Sequence, residues 1–352
     1  MDGARQPGTD AWSGRRFDLV LGGGGALGAF QAGVYEALEE AGREPDRLVG
    51  ASIGALNAAL IAGNPPEQRL DRLRAFWELV AEPAFTPAAL SGDARRMVKA
   101  VFALHARLLG RPGLYRPHLP RLFLQSPAWG SPSLYHLGPA VATLRRLVDF
   151  DRIGNGGPRL GVHLTDLRTG APVLVESGSD RLRPEHLVAS MGLLPEFPPT
   201  EIDGRWFCDG GFSANLPLYA VLDPPPEADV LCLAVDLLGE PGPPVLSLDG
   251  MMERSNDLLF ANQTRSSLAT FEARYAARHD GSSILLLLLT CNGEGERVSQ
   301  KIWDYGRRSI EERWRAGYEA CAAALARLQD LPPPAPGRLR VQRLVVPNAL
   351  YA

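Results

Sequence analysis

Arg47-Leu48-Val49-Gly50-Ala51-Ser52-Ile53-Gly54-Ala55-Leu56-Asn57 joins a short apolar run to an Ala/Leu-rich one through a Gly-x-Ser-x-Gly turn. The run ahead of Gly50 suits a buried strand, and the run from Ile53 suits a helix. Small residues two before and two after the serine let the chain turn sharply without side-chain clashes. Ser52 then stands at the tip of the turn, beside the amino end of the next helix, as a nucleophile elbow requires. Negative charge developing there meets free backbone N–H groups and the positive end of the helix dipole. Gly and Ser also crowd together in ordinary turns, so the pattern alone leaves a plain turn equally open.

Immediately upstream lies a second unit of the same kind. Phe17-Asp18-Leu19-Val20-Leu21 reads as a strand, apolar apart from Asp18, and residues 29–41 carry helical spacing with Phe30, Val34 and Leu38 on one side. Between them runs Gly22-Gly23-Gly24-Gly25-Ala26-Leu27-Gly28. Two strand-to-helix units in succession predict an α/β fold with a largely parallel sheet. The spacing Gly23-x-Gly25-x-x-Gly28 also matches a dinucleotide fingerprint. That site needs an Asp or Glu at the end of the following strand, and this chain has Gly50-Ala51-Ser52 there. No Gly-Lys-Ser/Thr follows, which excludes a P-loop. The other use of such a loop is an oxyanion hole, where bare peptide N–H groups aimed at developing charge are worth roughly 3–4 kcal/mol each. If the two strands are neighbours in a parallel sheet, serine and anion cradle emerge on one edge.

A serine nucleophile needs a base. None of the six histidines (His105, His118, His136, His163, His186, His279) lies in a motif-like setting. Only His279 could complete an acid-then-histidine order, and its surroundings read as a helix end. Asp209 is the stronger candidate: it follows a Trp-Phe-Cys strand and precedes Gly210 and Gly211, with a helix expected to start near Ser213. Asp-Gly-Gly by itself is most often a turn. A carboxylate at a strand end beside the serine could nevertheless take its proton directly. Because a free Asp has a pKa of about 3.9, such a base needs desolvation or polarisation by its neighbours. Asp166, Asp203 and Asp236 are rivals at other turns and strand edges.

The rest of the chain reads in the same alternation. Helices are expected over 67–80, 93–109, 138–148, 184–191, 252–278 and 300–328, and strands over 229–236 and 282–290. A hairpin is expected around Arg168-Thr169-Gly170. Residues 81–137 are irregular and rich in proline and aromatics, including Tyr115, Phe123, Trp129 and Tyr135. They read as packed peripheral loops or as a lid and acyl-chain wall over the elbow. Leu331 to Gly337 is a Pro-rich linker, and Leu344-Val345-Val346 is expected to add an edge strand.

The 352 residues carry a formal charge of -3 with mixed signs, which gives no nucleic-acid footprint. Cys208, Cys232, Cys291 and Cys321 are far apart, without metal-site spacing, and read as reduced and mostly buried. No secretory h-region is seen, and the longest aliphatic run, Ile284 to Leu289, is far short of the ~20 residues of a spanning helix. A cytoplasmic protein is expected, with peripheral membrane contact left open and the oligomeric state unassigned.

Taken together, Gly23-Gly24-Gly25-Ala26-Leu27-Gly28, then Gly50-Ala51-Ser52-Ile53-Gly54, then Asp209-Gly210-Gly211 resemble the patatin-like phospholipase family. The segment from Ala189 to Pro199 is also similar to the helix and Pro turn that precede that family's aspartate. The likeness runs from about Phe17 to about Leu222 and implies a three-layer α/β/α fold around a mainly parallel sheet. It further implies hydrolysis of lipid acyl esters by a Ser-Asp dyad, with Ser52 as nucleophile, Asp209 as base and Gly23 to Gly28 as the oxyanion loop. Neither metal nor organic cofactor is called for. Many relatives carry Arg or Lys where this chain has Leu27, which weakens the expectation of an anionic head group. An acyltransferase or thioesterase with the same dyad, and a non-catalytic lipid-binding protein, are the alternatives. The expected organisation is a flexible leader (1–15), a catalytic domain (16–222) with the lid-like segment 81–137, a continuation packed on it (223–330), and a linker and tail (331–352).

Overall fold

The computed structural model describes residues 11–82, 92–118, 133–238, 248–291 and 301–344. In chain order its elements begin with β1 (Arg16–Leu21), α1 (Ala29–Glu40), β2 (Arg47–Ala51), α2 (Ile53–Ala62), α3 (Pro66–Val80) and α4 (Gly92–Leu109). There follow β3 (Arg116–Pro117), β4 (Tyr135–His136), α5 (Gly138–Leu147), β5 (Arg159–Asp166), β6 (Pro172–Glu176), α6 (Pro184–Ser190), β7 (Thr200–Ile202) and β8 (Arg205–Asp209). The last are α7 (Gly211–Ala214), α8 (Tyr219–Leu222), β9 (Val230–Asp236), α9 (Leu248–Ala276), β10 (Ile284–Thr290), α10 (Arg307–Leu328) and β11 (Leu339–Leu344).

One nine-stranded sheet runs in the order β11-β10-β9-β1-β2-β5-β8-β7, with β6 also on β5. From β11 to β5 every pairing is parallel, and the three strands added beyond are antiparallel. The central strands read as unbroken apolar runs because both faces of a parallel sheet are covered. Alternate residues go to opposite layers. Leu19, Leu21, Leu48, Leu233 and Leu287 face a core with α1, α2 and α10, whereas Val20, Val49, Cys232 and Leu286 face a second core with α8 and α9. The result is the expected three-layer α/β/α arrangement. Asp18, the buried polar residue of β1, is bonded to the Arg16 guanidinium at 2.7 and 2.8 Å.

Helix α10 returns to lie on α1, at a glycine on each helix. A Cβ on Gly33 would stand 1.8 Å from the Trp314 carbonyl oxygen, and one on Gly317 would stand 1.9 Å from that of Phe30. The two backbones touch, which no larger residue permits.

Several expectations are revised. Residues 300–328 are not one helix: a 3₁₀ turn, Lys301–Trp303, precedes α10, which starts after Gly306. The Asp304 carboxylate takes the Gly306 N–H at 3.1 Å, closing the turn that separates them. The helix expected from Ser213 begins at Gly211 and ends at Ala214. The edge strand starts earlier, at Leu339, and ends at Leu344, so Val345 and Val346 lie outside the described residues. Phe123 and Trp129 do as well. The described end of the leader is not loose: Trp12 is buried and its indole N–H donates to the Leu331 carbonyl at 3.0 Å.

Candidate active site

Ser52 lies between β2 and α2 with φ 54° and ψ −126°. Only one other non-glycine described residue, Asp203, has positive φ. Such a conformation costs of order 1–3 kcal/mol and persists where the surroundings impose it. Here the imposition is visible. Helix α2 passes so close to β1 that a Cβ on Gly54 would stand 2.2 Å from the Leu21 carbonyl oxygen. Gly50 is pressed against the first turn of the same helix.

Asp209 reaches the serine through strand register. On β5, residues 159–163 pair with β2 and residues 164–166 pair with β8. Strand β6 covers residues 161–165 and overlaps both. It therefore takes the other edge, and β2 and β8 share one edge of β5. They run in opposite directions and meet end to end. Ala51 sits opposite His163, and Asp209 sits opposite the next residue, Leu164. Ser52 and Asp209 are thus brought together from 157 positions apart, and both line one pocket.

The carboxylate is almost fully buried. Burial raises its pKa to about 7, against the lowering effect of the Gly211 N–H and of Ser52. The Gly211 N–H reaches Oδ1 at 2.7 Å. Thr165 Oγ1 donates to the Asp209 carbonyl at 2.8 Å, and the Asp209 N–H donates to Gly192 at 3.1 Å. Gly210 packs on His163.

The rival acids have other work. Asp166 accepts the Arg205 guanidinium and the Thr169 hydroxyl and N–H, which hold its carboxyl well below the usual range, and it also accepts the Arg168 N–H of the hairpin turn. Asp203 pairs with Arg183 at 2.7 Å. Asp236 is buried, accepts the Leu238 N–H at 3.1 Å, and has its pKa raised by desolvation. His279 is exposed beyond α9.

The glycine loop follows β1, parallel neighbour of β2, so both loops open on one edge. Its N–H groups are not equivalent. Gly22 donates to Val235 at 3.0 Å and Gly23 to the Asn215 carbonyl at 3.1 Å. The N–H groups of Gly24 and Gly25 have no acceptor among the described residues. Both residues line the pocket with Ser52 and Asp209. Gly28 is a packing position against Ile53 and Trp77. Leu27 is buried in the main core.

Three groups of positioning residues were not legible beforehand. Ser190, at the end of α6, accepts the Ser52 N–H at 2.8 Å and donates to the His163 carbonyl at 2.7 Å. Gln31, Asn57 and Trp77 form a buried chain: Gln31 holds the Gly22 carbonyl at 2.7 Å, and Asn57 holds the Gly28 carbonyl at 3.0 Å and Gln31 at 2.9 Å. Trp77 donates to Asn57 at 3.2 Å. Polar residues inside the apolar faces of α1 and α2 are the one signal that could have marked this chain. His163 is fully buried, and burial lowers its pKa to about 4. Its ring nitrogens meet Ser213 at 3.1 Å and Tyr219 at 2.9 Å, so the imidazole is a neutral strut beneath Asp209.

The pocket above Ser52 and Asp209 has about 680 Å³ of empty space when its open mouth is included. Its polar groups are few, and the remaining wall is apolar: Leu114, Tyr115, Leu137, Met191, Leu193, Phe197, Leu238, Phe260, Ile302 and Trp303 among others. Tyr115, Tyr135, Phe197 and Trp303 pack ring on ring with centroids 5.1–5.9 Å apart. Among the described residues no group of His, Cys, Asp and Glu could hold a metal ion.

Comparison with known proteins bears on this arrangement. A lysophospholipase of Aspergillus terreus is 61% identical over 49 residues, 14% of this chain and 3% of that protein. A patatin-like phospholipase domain-containing protein of Caenorhabditis elegans is 43% identical over 65 residues, 18% of this chain and 5% of that one. The chain thus aligns with only a small part of these relatives' lengths. Among solved structures, VipD of Legionella pneumophila overlays at a TM-score of 0.35 with 14% identity, covering 85% of this chain and 67% of VipD. The type III effector ExoU overlays at 0.33 with 16% identity, covering 90% and 54%. The patatin-like phospholipase model matches residues 19–222, from β1 through the elbow and Asp209 to the end of α8. The chain belongs to the patatin-like phospholipase family.

Proposed function

We propose that this protein is a serine lipid acyl hydrolase that works through a Ser52–Asp209 dyad. The observation that carries this reading is that strand register sets Ser52 and the buried Asp209 together in the lining of one largely apolar pocket. Asp209, with a pKa near 7, is ionised in a useful fraction at neutral pH and is basic enough to draw the serine proton.

Ser52 attacks the ester carbonyl while Asp209 takes its proton. The tetrahedral oxyanion is met by the N–H groups of Gly24 and Gly25 at the start of a helix. Collapse expels the alcohol portion, which receives the proton from Asp209 and leaves acyl-Ser52. Asp209 then deprotonates water for the second attack, and the free acid leaves. The apolar wall suits a hydrocarbon chain, which makes lipid esters the favoured substrate class.

The test is hydrolysis of p-nitrophenyl esters of rising chain length by the wild type and Ser52→Ala, together with fluorophosphonate labelling. Labelling at Ser52 and loss of turnover in the variant are expected. Equal rates in both proteins would overturn the proposal. Unlabelled protein that passes the acyl group of an ester to an added alcohol in preference to water would make it a transferase.

A further inference from the structure

Helix α4 is packed inside out. Its inward face is Lys99, Ala103 and Ala106, all buried. Met97, Val101, Leu104 and Leu108 are 70%, 57%, 54% and 61% exposed. Their spacing of four, three and four residues makes one continuous stripe along the helix, and Leu109 extends it. A helix held only by its own core would present the leucines inward and the alanines outward. Lone exposed apolar residues need no explanation, whereas a contiguous stripe marks a surface that another phase or partner covers.

The charge around the stripe says which. Between Gly92 and His118 the sequence has Arg95, Arg96, Arg107 and Arg116 against a single acid, Asp93, besides Lys99 and Arg111, which are buried, Arg111 against Glu82. Arg116 is exposed and Arg107 partly so. An apolar helix face among basic residues is the composition of helices that lie in the interface of anionic bilayers. Two copies meeting through this face would bring their basic segments together, which opposes self-association.

Position completes the argument. Helix α4 packs on the Lys301–Trp303 turn, whose Ile302 and Trp303 line the pocket. The chain leaving α4 carries Leu114 and Tyr115 into the same wall.

We propose that α4 is a membrane-docking helix that seats the pocket against an anionic lipid surface, with Met97, Val101, Leu104 and Leu108 entering the boundary between head groups and acyl chains. The proposal does not require Ser52 to be the nucleophile.

The test is co-sedimentation of the full chain with unilamellar vesicles of phosphatidylcholine alone and of phosphatidylcholine with phosphatidylglycerol. The proteins are the wild type and the double variant Leu104→Glu/Leu108→Glu. Both positions face solvent, so the fold should tolerate them; circular dichroism and turnover of a short soluble ester should be unchanged. The wild type should bind anionic vesicles at least about tenfold more tightly than neutral ones, and the variant should lose about tenfold or more. Wild type that ignores anionic vesicles, or a variant that sediments as well as wild type, would overturn the proposal. So would a wild-type dimer in gel filtration that the variant abolishes. Vesicle binding that persists without fluorophosphonate labelling would remove the dyad and leave the docking helix standing.

Discussion

On one side of the pocket Ser52, Asp209, Gly24 and Gly25 converge from the ends of β2, β8 and β1. On the other, Ile302, Trp303 and Tyr305 come from one short turn, with Leu238 and Phe260 from the elements before it. The first side lies wholly within the stretch that the family model matches; the second is shared between residues beyond 222 and Leu114, Tyr115, Leu137, Met191, Leu193 and Phe197 inside it. The polar side is held by backbone. Strand register, a compressed elbow and N–H groups fix its atoms, and small residues are required at several of its positions. The apolar side is held by side chains. The buried Arg313 guanidinium donates to the Asp304 carbonyl at 2.7 Å and to that of Ala26 at 3.4 Å, tying the turn to the glycine loop. On the proposed function, chemistry needs fixed atoms, whereas an acyl chain needs only volume and dryness. The two sides can therefore be altered independently.

That independence can be broken in four ways. Asp209→Asn or Ser52→Ala should lower turnover by about 10⁴-fold or more at every ester length, with folding intact by circular dichroism. A loss confined to long esters would mean that the polar side also selects substrate. Ser190→Ala leaves the Ser52 N–H without its acceptor and should cost about 10–100-fold in kcat, since small displacements of a nucleophile are expensive. An unchanged kcat would show that the elbow holds its shape without α6.

The third concerns pH. A base with pKa about 7 predicts a rate that rises about tenfold from pH 6 to pH 8 and then levels. Stability should move the other way. The folded-state pKa lies above the unfolded value of about 3.9, so the folded state holds this proton more tightly. That contribution is present in full below about pH 4 and is lost as pH rises through 7. Thermal melts of wild type and Asp209→Asn at pH 5 and pH 9 read it. The variant's relative stability should be greater at pH 9, and parallel melting curves would contradict the burial argument. The smallest effect is expected on the apolar side. Trp303→Leu should reduce long-chain against short-chain ester turnover by about fivefold, leaving fluorophosphonate labelling of Ser52 unchanged.

Much of the polar side was legible because its constraints are local. A sharp turn demands Gly50 and Gly54 beside Ser52, and a strand end followed by glycines advertises Asp209. The hairpin at Asp166 was legible for the same reason. The division of labour inside the glycine loop was not, because Gly23 is occupied by Asn215, nearly two hundred residues away. Ser190 and His163 were equally silent, each an ordinary residue until its neighbours are known. The long helix expected over 300–328 failed at Asp304 and Gly306, where a side chain closing a turn outweighs helical periodicity. In α4 periodicity was read correctly as a helix, but it could not say which face would turn outward.

Sequence by itself determined the succession of strands and helices, the elbow and the candidate nucleophile and base, because these rest on steric rules acting within a few residues. Tertiary structure alone decided that β2 and β8 share one edge of β5 and meet end to end. It also decided which loop N–H groups stay open, and that the turn at 301–303 forms the pocket wall. Those outcomes depend on which distant backbones pair and touch, a choice settled by the packing of the whole sheet and its two helical layers.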